Sequence, residues 1–485
     1  MGLLRTAVFA LPLALGACAT ALPSGVTAPG AGFDLVTART QNATGRQSVW
    51  LQNGAQARQV ADQVHALTHR KTISADTAVQ VALLNNRGLQ ASYAEVGLSA
   101  AEIWQQSTPE NPIVSVGLLG IGAPELGLFR ALESVIAVNL LDAPTRRRRV
   151  AVAQADFQRA QMQAVVDTLT LAAETRTAWI DAVAAFETVA LLNQAVQAAD
   201  ASSELAFELG RTGALNRAAQ AREQVFDAEL AAQTAEARLE AATAKEQLAR
   251  LMGLWGTEVD YFVPDALPPL PGGLRSTAGI EARALRERVD LEVARLSLAA
   301  TAQAYGLTDA TRVLTDLEVI AGAELEREDE DGEIEEEVTP QVELEFQIPI
   351  YDTGRARLRK AELSYLQAAN VLAEAAVAVR SEARIAETRY RGTHAIARQY
   401  RDVVLPLRRT IDEESLLANN GMITSTFELL ADVRAGLGSQ LDAAEAKHQF
   451  WLAAANLNAA IYGGGGAAGG GDAGVELAGG GDAPH

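Results

Sequence analysis

The chain has 485 residues, which is enough for two or three ordinary domains or for one long extended one. Apolar residues make up 48% of the sequence but aromatic residues only 5%, a balance that favours long helices in close contact over a thick aromatic core. The formal net charge is −20, which argues against nucleic acid as a partner because a phosphate backbone repels an acidic chain.

The first residues have the pattern of a lipoprotein signal. Arg5 precedes the apolar run Thr6–Leu15, which has signal-peptide length and is too short to span a membrane as a helix. The run leads into Leu-Gly-Ala before Cys18, the only cysteine, and this resembles a bacterial lipobox. We predict a signal peptide at residues 1–17 and acylation of Cys18; the alternative is an ordinary signal peptide with a chance cysteine. Ala19 is not aspartate, so the inner-membrane retention signal of such lipoproteins is absent.

The remainder is predicted to divide into five segments. Residues 18–73 form an extended segment with a short helix, and residues 463–485 form a disordered Gly-rich tail. Two structural repeats, 74–253 and 278–462, are joined by a Pro-rich linker at 254–277. After the signal there is no run of about 18 apolar residues, so a membrane crossing would have to use strands in a closed barrel.

The repeat is visible when Ser134–Arg149 is aligned with Leu344–Arg359. Apolar residues then fall opposite apolar residues, Asp142 falls opposite Asp352, and arginines follow at matching positions in both halves. Each half therefore has the same plan.

Two periodicities alternate within each half. Runs in which apolar and polar residues alternate predict strands with one apolar face, and their length suits a membrane barrel. These runs lie at 114–118, 136–140, 317–325 and 342–350. Long runs without helix breakers predict helices at 89–106, 145–209, 214–252, 354–419 and 425–460. We expect a kink near Pro406. Four strands cannot close a barrel, so several chains must share one.

Several segments resemble the TolC-type outer-membrane efflux protein family, in its lipoprotein subgroup. They keep their order and spacing and occur in both halves, between residues 74 and 462. They are Ala82-Leu83-x-Asn85-Asn86 with Leu89, Asn111-Pro112, the stretch Pro349 to Arg355, Val404 to Leu407, and Gly421 with Ser425 and Glu428 to Leu430. The family's usual proline after the paired asparagines is replaced here by Arg87-Gly88.

The resemblance implies a mainly α fold with a β-barrel part. Three chains would form a twelve-stranded outer-membrane barrel above a tapered coiled-coil tunnel, and the tunnel's periplasmic tips would meet an adaptor and an inner-membrane pump. The tip and adaptor-contact residues would be Gly213, Asn216, Gly421 and Ser425. The aperture would be formed by Glu428, with Asp432 as the weaker candidate; a solvated helix surface is an equal alternative for Glu428. Gly213 and Gly421 stand where a left-handed backbone would suit the reversal.

Three other features call for a role. His65 and His69 have metal-ligand spacing, but no third ligand is evident, and we predict no metal site. The arginines at 146–149, echoed at 355–359, would meet lipid headgroups or pair along the helix surface. The acidic stretch Glu324–Glu337 would form the outer tip of the second hairpin, as a solvated loop or as a binder of divalent cations.

We expect the chain to be no enzyme and to need no cofactor beyond the lipid on Cys18. The predicted function is the passive exit duct of a tripartite efflux system for drugs or small solutes, anchored in the outer membrane and reaching into the periplasm. The pump would be of the resistance–nodulation–division type. The alternatives are a type I protein secretion duct and a periplasmic coiled-coil lipoprotein that is not a channel.

Overall fold

The computed structural model describes residues 25–121, 129–211, 216–314, 316–330, 333–421 and 426–464. The helices are α1 (Phe33–Thr44), α2 (Gly54–Thr68), α3 (Ala75–Asn85), α4 (Arg87–Ser107), α5 (Asp142–Arg211), α6 (Arg217–Met252), α7 (Ile280–Glu287), α8 (Val289–Ala310), α9 (Arg355–Gln399), α10 (Leu405–Asn420) and α11 (Thr426–Tyr462). The strands are β1 (Ile113–Leu119), β2 (Ala131–Asn139), β3 (Leu317–Glu330) and β4 (Glu333–Phe346). The predicted combination of long helices with four strands is confirmed.

These elements belong to two compact units. The sheet unit consists of Met1–Val64, Leu83–Asp167 and Arg288–Glu382, and it contains all four strands. The helical unit consists of His65–Ala82, Thr168–Glu287 and Ala383–His485. Each unit therefore takes residues from both predicted repeats.

The long helices end where the sequence places glycines or polar turns. α5 has 70 residues, which at 1.5 Å per residue is about 105 Å, and α6 has 36. α4 begins after Asn86, whose side-chain oxygen accepts a hydrogen bond from the Leu89 amide at 3.0 Å. The irregularity expected near Pro406 is a π-helical turn at Tyr400–Val404, directly before α10.

The sheet has the strand order β1-β2-β3-β4, and every neighbouring pair is antiparallel. The register places one set of apolar side chains on a single face that crosses all four strands. We call this the apolar face. It carries Val114, Val116 and Leu118 from β1, Leu132, Ile136 and Val138 from β2, Leu317, Val319 and Leu325 from β3, and Val338, Val342, Leu344 and Phe346 from β4.

The opposite face, which we call the acidic face, carries glutamates. Gly322 lies at its centre, where a Cβ atom would come within 2.2 Å of the Ser134 carbonyl oxygen. Without a side chain at Gly322, Gln341 reaches across and donates a hydrogen bond to Glu133 at 2.9 Å. The glutamates of this face are Glu133, Glu318, Glu324, Glu326, Glu328, Glu335, Glu337, Glu343 and Glu345.

Two strand predictions need correction. The alternating run at 342–350 was expected to continue to Ile350, but β4 ends at Phe346 because its partner strand β3 begins at Leu317, the residue opposite Phe346. The acidic stretch was expected as a loop, yet β3 runs to Glu330 and β4 starts at Glu333, so most of it is paired strand.

Both strand-to-helix junctions are fixed by local contacts inside the sheet unit. At the first, the buried Asp142 carboxylate accepts hydrogen bonds from Arg146 and Arg149. At the second, Gly354 has φ +70°, and a Cβ there would lie 2.4 Å from the Arg312 carbonyl oxygen. Glycine is required at that position because its backbone conformation is left-handed and the backbone of Arg312 lies too close for a side chain.

In the helical unit, the Pro-rich linker is held by side chains of the long helices. The Leu267 amide donates to Glu187 of α5 at 3.0 Å, and the indole of Trp451 of α11 donates to the Pro268 carbonyl at 2.9 Å. Prolines cannot donate backbone hydrogen bonds, and the linker has no regular secondary structure to pair its backbone. The side chains of the long helices therefore satisfy backbone polar groups that would otherwise be unpaired. None of the described helices is long and apolar enough to cross a membrane.

Asp142 and its counterpart in the second half, Asp352, form a matched pair for mutation. Burial raises the pKa of Asp142, but the hydrogen bonds from Arg146 and Arg149 outweigh it, and the pKa lies below its ordinary value. Asp142→Asn leaves Arg146 buried without an opposite charge, and we expect a loss of about 3 kcal/mol in the free energy of unfolding. Asp352→Asn should cost under about 1 kcal/mol, since its ion pair with Arg357, at 3.7 Å, is exposed.

Denaturant unfolding in detergent as a function of pH checks this expectation. A carboxylate with a lowered pKa stabilises the fold above its unfolded pKa, and that contribution is lost as the pH falls through the folded value. The difference between wild type and Asp142→Asn should therefore shrink in acid. Equal effects of the two substitutions at neutral pH would contradict the assignment.

Candidate functional site

The second helix hairpin, formed by α10 and α11, carries most of the predicted tip and aperture residues. Gly421 follows α10, and its amide donates to the Leu417 carbonyl at 2.9 Å. The expected left-handed backbone is wrong for Gly421, whose φ is −78°. Ser425 lies outside the described residues.

Glu428 occupies the first turn of α11, where its negative charge is favourable beside the positive end of the helix dipole. Its side chain is exposed. Its role in an aperture stays a prediction.

Asp432, one turn further on, is tied to the neighbouring helix. Its carboxylate accepts a hydrogen bond from the Ser415 hydroxyl of α10. Arg408 of α10 donates to the Ser439 hydroxyl of α11 at 3.1 Å, so the hairpin carries a second cross-link of the same kind. Asp432 thus holds the two helices of the hairpin together, and sequence reasoning did not find this contact.

Asp412 is a further carboxylate in this hairpin. A Cβ atom on Gly436 of α11 would lie 3.3 Å from the Asp412 carboxylate, so the glycine gives this group its space. One carboxylate oxygen is shielded from solvent and has no hydrogen-bond partner among the described residues. Burial and the nearby charge of Asp432 raise the pKa of Asp412, while Arg408 opposes the shift.

The first helix hairpin, formed by α5 and α6, is described up to its turn on both sides. α5 ends at Arg211 and α6 begins at Arg217. Asn216 is exposed, and its carbonyl accepts a hydrogen bond from the Gln220 amide at 3.1 Å at the start of α6. Gly213 lies outside the described residues.

Ion pairs connect the two hairpins within the helical unit: Lys447 of α11 pairs with Glu187 of α5, and Arg434 pairs with Glu223. Arg434 of α11 donates to the buried carboxylate of Glu223 of α6 at 2.9 Å. The Arg434 guanidinium also lies over the ring of Phe226, 4.1 Å from its centroid. No sequence motif marks this link, because the residues belong to different repeats and meet only through helix packing.

The remaining candidates take no part in this site. Cys18 lies outside the described residues. The rings of His65 and His69 stack with their centroids 4.5 Å apart, and the described part of the chain holds no group of three metal-ligating side chains. Among the junction arginines, Arg146 is buried against Asp142, which for this residue agrees with the predicted alternative of pairing along the helix and not with headgroup contact.

No family model matches the sequence, and no curated protein matches it. Solved structures do match. The CmeC outer membrane channel of Campylobacter jejuni superposes with a TM-score of 0.66 at 15% identity, over 80% of this chain and 86% of that one. The outer-membrane channel OprN gives a TM-score of 0.66 at 18% identity, over 89% and 95%. The MtrE outer membrane channel of Neisseria gonorrhoeae, in its open state, gives 0.60 at 16%, over 80% and 88%.

The chain therefore has the fold of the TolC-type outer-membrane efflux channels, and the resemblance seen in the sequence is confirmed at the level of the fold.

Replacing Glu428 tests its role in an aperture. Removing a carboxylate from a narrow point weakens its attraction for cations, so Glu428→Ala should lower cation preference and alter single-channel conductance in planar bilayers. Asp442→Ala, which removes an exposed carboxylate further along α11, is the control and should change neither quantity. Single-channel records of Glu428→Ala that match those of wild type would show that Glu428 does not contribute to the aperture.

Asp412→Asn tests whether the negative charge of the shielded Asp412 carboxylate destabilises the second hairpin. A carboxyl with a raised pKa is favoured in its neutral form, so its contribution to stability is present at low pH and is lost as the pH rises through its unfolded value towards the folded one. The neutral amide should therefore make the hairpin more resistant to proteolysis at neutral pH. The gain should vanish in acid, and Asp442→Asn should show no gain. A variant that is less stable at neutral pH would refute the expectation.

Proposed function

We propose that this protein is the passive exit duct of an efflux system in the outer membrane, carrying drugs or small solutes. The observation that carries the proposal is the two-sided sheet. One face is apolar across all four strands and the other is acidic. A bilayer can cover the first, and a water-filled lumen suits the second.

The exposure of the apolar face supports a lipid environment. The side chains of Val114, Val116 and Val342 are exposed, and Val342 is 77% accessible. An aqueous sheet would bury such a face against another layer. In lipid, exposure of the same residues is the stable state.

The number of strands supports a shared barrel. Membrane barrels begin at eight strands, and four strands per chain would supply twelve in a trimer. The fold of the matched channels supports this arrangement, since their chains align over most of their length.

The helix hairpins suit a gate in the proposed duct. The Arg434–Glu223 ion pair joins the hairpins. Removing Arg434 alone would leave the buried carboxylate of Glu223 without this opposite charge, which is unfavourable in free energy. We propose that a periplasmic adaptor docks at residues 210–216 and 420–426 and that the resistance–nodulation–division pump below it supplies the energy. Acylation of Cys18 would anchor the chain.

A channel measurement on the full chain tests the proposal. Purified protein should run as a heat-sensitive trimer and should insert into planar bilayers as discrete conductance steps. Cross-linking in cells, followed by mass spectrometry, should identify an adaptor and a proton-driven pump.

Two other outcomes would redirect the assignment. A transport ATPase with a secreted protein among the cross-linked partners would indicate type I secretion. A monomer without conductance would refute the channel and leave a coiled-coil lipoprotein.

A further inference from the structure

Four cations lie just beyond one end of the sheet, and we call them the junction cluster. Arg147 and Arg148 follow β2 at the start of α5, and Arg355 and Lys360 follow β4 at the start of α9. β2 and β4 run in the same direction, so both junctions lie at the same end of the sheet. All four residues belong to the sheet unit, and their side chains are exposed.

Helix stability does not account for these cations. The N-terminal end of a helix carries partial positive charge within its first turn, so Arg355, the first residue of α9, is unfavourable there. The other three cations lie in the second turn of their helices and gain nothing from the helix dipole. α9 has no acidic residue in its first turn, and the acid of α5, Asp142, is already occupied by Arg146 and Arg149.

Partners within the chain do not account for them either. Across the part of the chain that the structure describes, no carboxylate forms an ion pair with any member of the junction cluster. Arg148 makes one hydrogen bond, to the Gly306 carbonyl at 3.1 Å. Four positive charges without a carboxylate partner in the described chain are therefore available to a partner outside it.

The neighbours of the cluster indicate what the outside partner is. Ile348 and Ile350 are largely exposed, and Tyr351 is 99% accessible, directly before the cations of α9. A tyrosine between an apolar surface and basic residues is the composition of a membrane interface. The cations at the other end of the sheet, Arg130 and Arg327, are paired with Glu326 and Glu336, whereas the junction cluster has no such carboxylate partners among the described residues.

We propose that the junction cluster binds the phosphate groups of anionic phospholipids, such as phosphatidylglycerol, in the leaflet that meets this end of the sheet. Guanidinium groups bind phosphate through paired hydrogen bonds, and Tyr351 with the two isoleucines contacts the acyl boundary. The inference rests on the proposed function, since the cluster reaches headgroups only if the sheet spans the membrane. A soluble phosphate ion would bind the cations but would not contact the apolar residues.

The test compares two variants with matched charge removal. In the junction variant, Arg147, Arg148, Arg355 and Lys360 are replaced by glutamine. In the control variant, the same replacement is made at four exposed arginines of the helical unit, Arg217, Arg275, Arg389 and Arg409. Each full-length protein is reconstituted into nanodiscs of mixed phosphatidylethanolamine and phosphatidylglycerol, and the lipids it retains are counted by native mass spectrometry.

Wild type and the control variant should retain phosphatidylglycerol in preference, and the junction variant should lose at least about tenfold of that preference. High salt should weaken the wild-type preference. The smaller variant Arg355→Gln/Lys360→Gln should show a partial loss, which keeps the test valid if the fourfold variant does not assemble. Equal retention by wild type and both junction variants would overturn the inference, as would displacement of the lipid by millimolar inorganic phosphate.

Failure of the lipid site and failure of the channel give different results. Conductance by wild type in bilayers, together with no preference for phosphatidylglycerol, would refute the lipid site and leave the duct. No conductance in any lipid would refute the proposed function itself.

Discussion

A four-stranded sheet has two edge strands whose outer backbone amides and carbonyls are unpaired. The free-energy cost of placing these groups in lipid constrains the rest of the molecule. β1 and β4 each pair on one side only within the described chain. In a bilayer every unpaired amide and carbonyl costs several kcal/mol, so a single copy cannot insert on its own. In the proposed duct, copies joined edge to edge would satisfy the backbone and enclose the acidic face at the same time. Assembly and pore formation would then be one event, driven by backbone hydrogen bonding.

The sequence predicted what depends on local pattern. Alternation placed the four strands, and the absence of glycine and proline placed α5, because a helix of that length needs only uninterrupted helix formers. It failed where pairing overrides local preference. Glutamates are poor strand formers, yet Glu326 and Glu328 lie in β3 because the β4 ladder continues opposite them. In the opposite sense, the apolar residues Ile348 and Ile350 lie outside the sheet because β3 begins opposite Phe346 and offers them no partner.

The candidate site divides in the same way. Glu428 could be placed at a helix start from the sequence alone. The contacts of Asp432 and Asp412 could have been predicted with one further rule. Residues equally distant from the turn face each other in an antiparallel helix hairpin. Ser415 with Asp432 and Arg408 with Ser439 both obey that rule. The Arg434–Glu223 pair does not, because it joins two hairpins and depends on how four helices pack.

Charges bracket the apolar face at both ends, and they set the thickness of membrane that the sheet fits. On that face the apolar part of β3 covers residues 317–325, a length that suits a tilted membrane strand. It stops at Arg327, which forms an ion pair with Glu336 at 2.9 Å, and basic residues follow β4 at the opposite end. Neither boundary can move into hydrocarbon without burying charge. In the proposed duct, a thicker or thinner bilayer would therefore have to deform to meet the sheet, so hydrophobic mismatch would restrict the membranes in which the protein is stable.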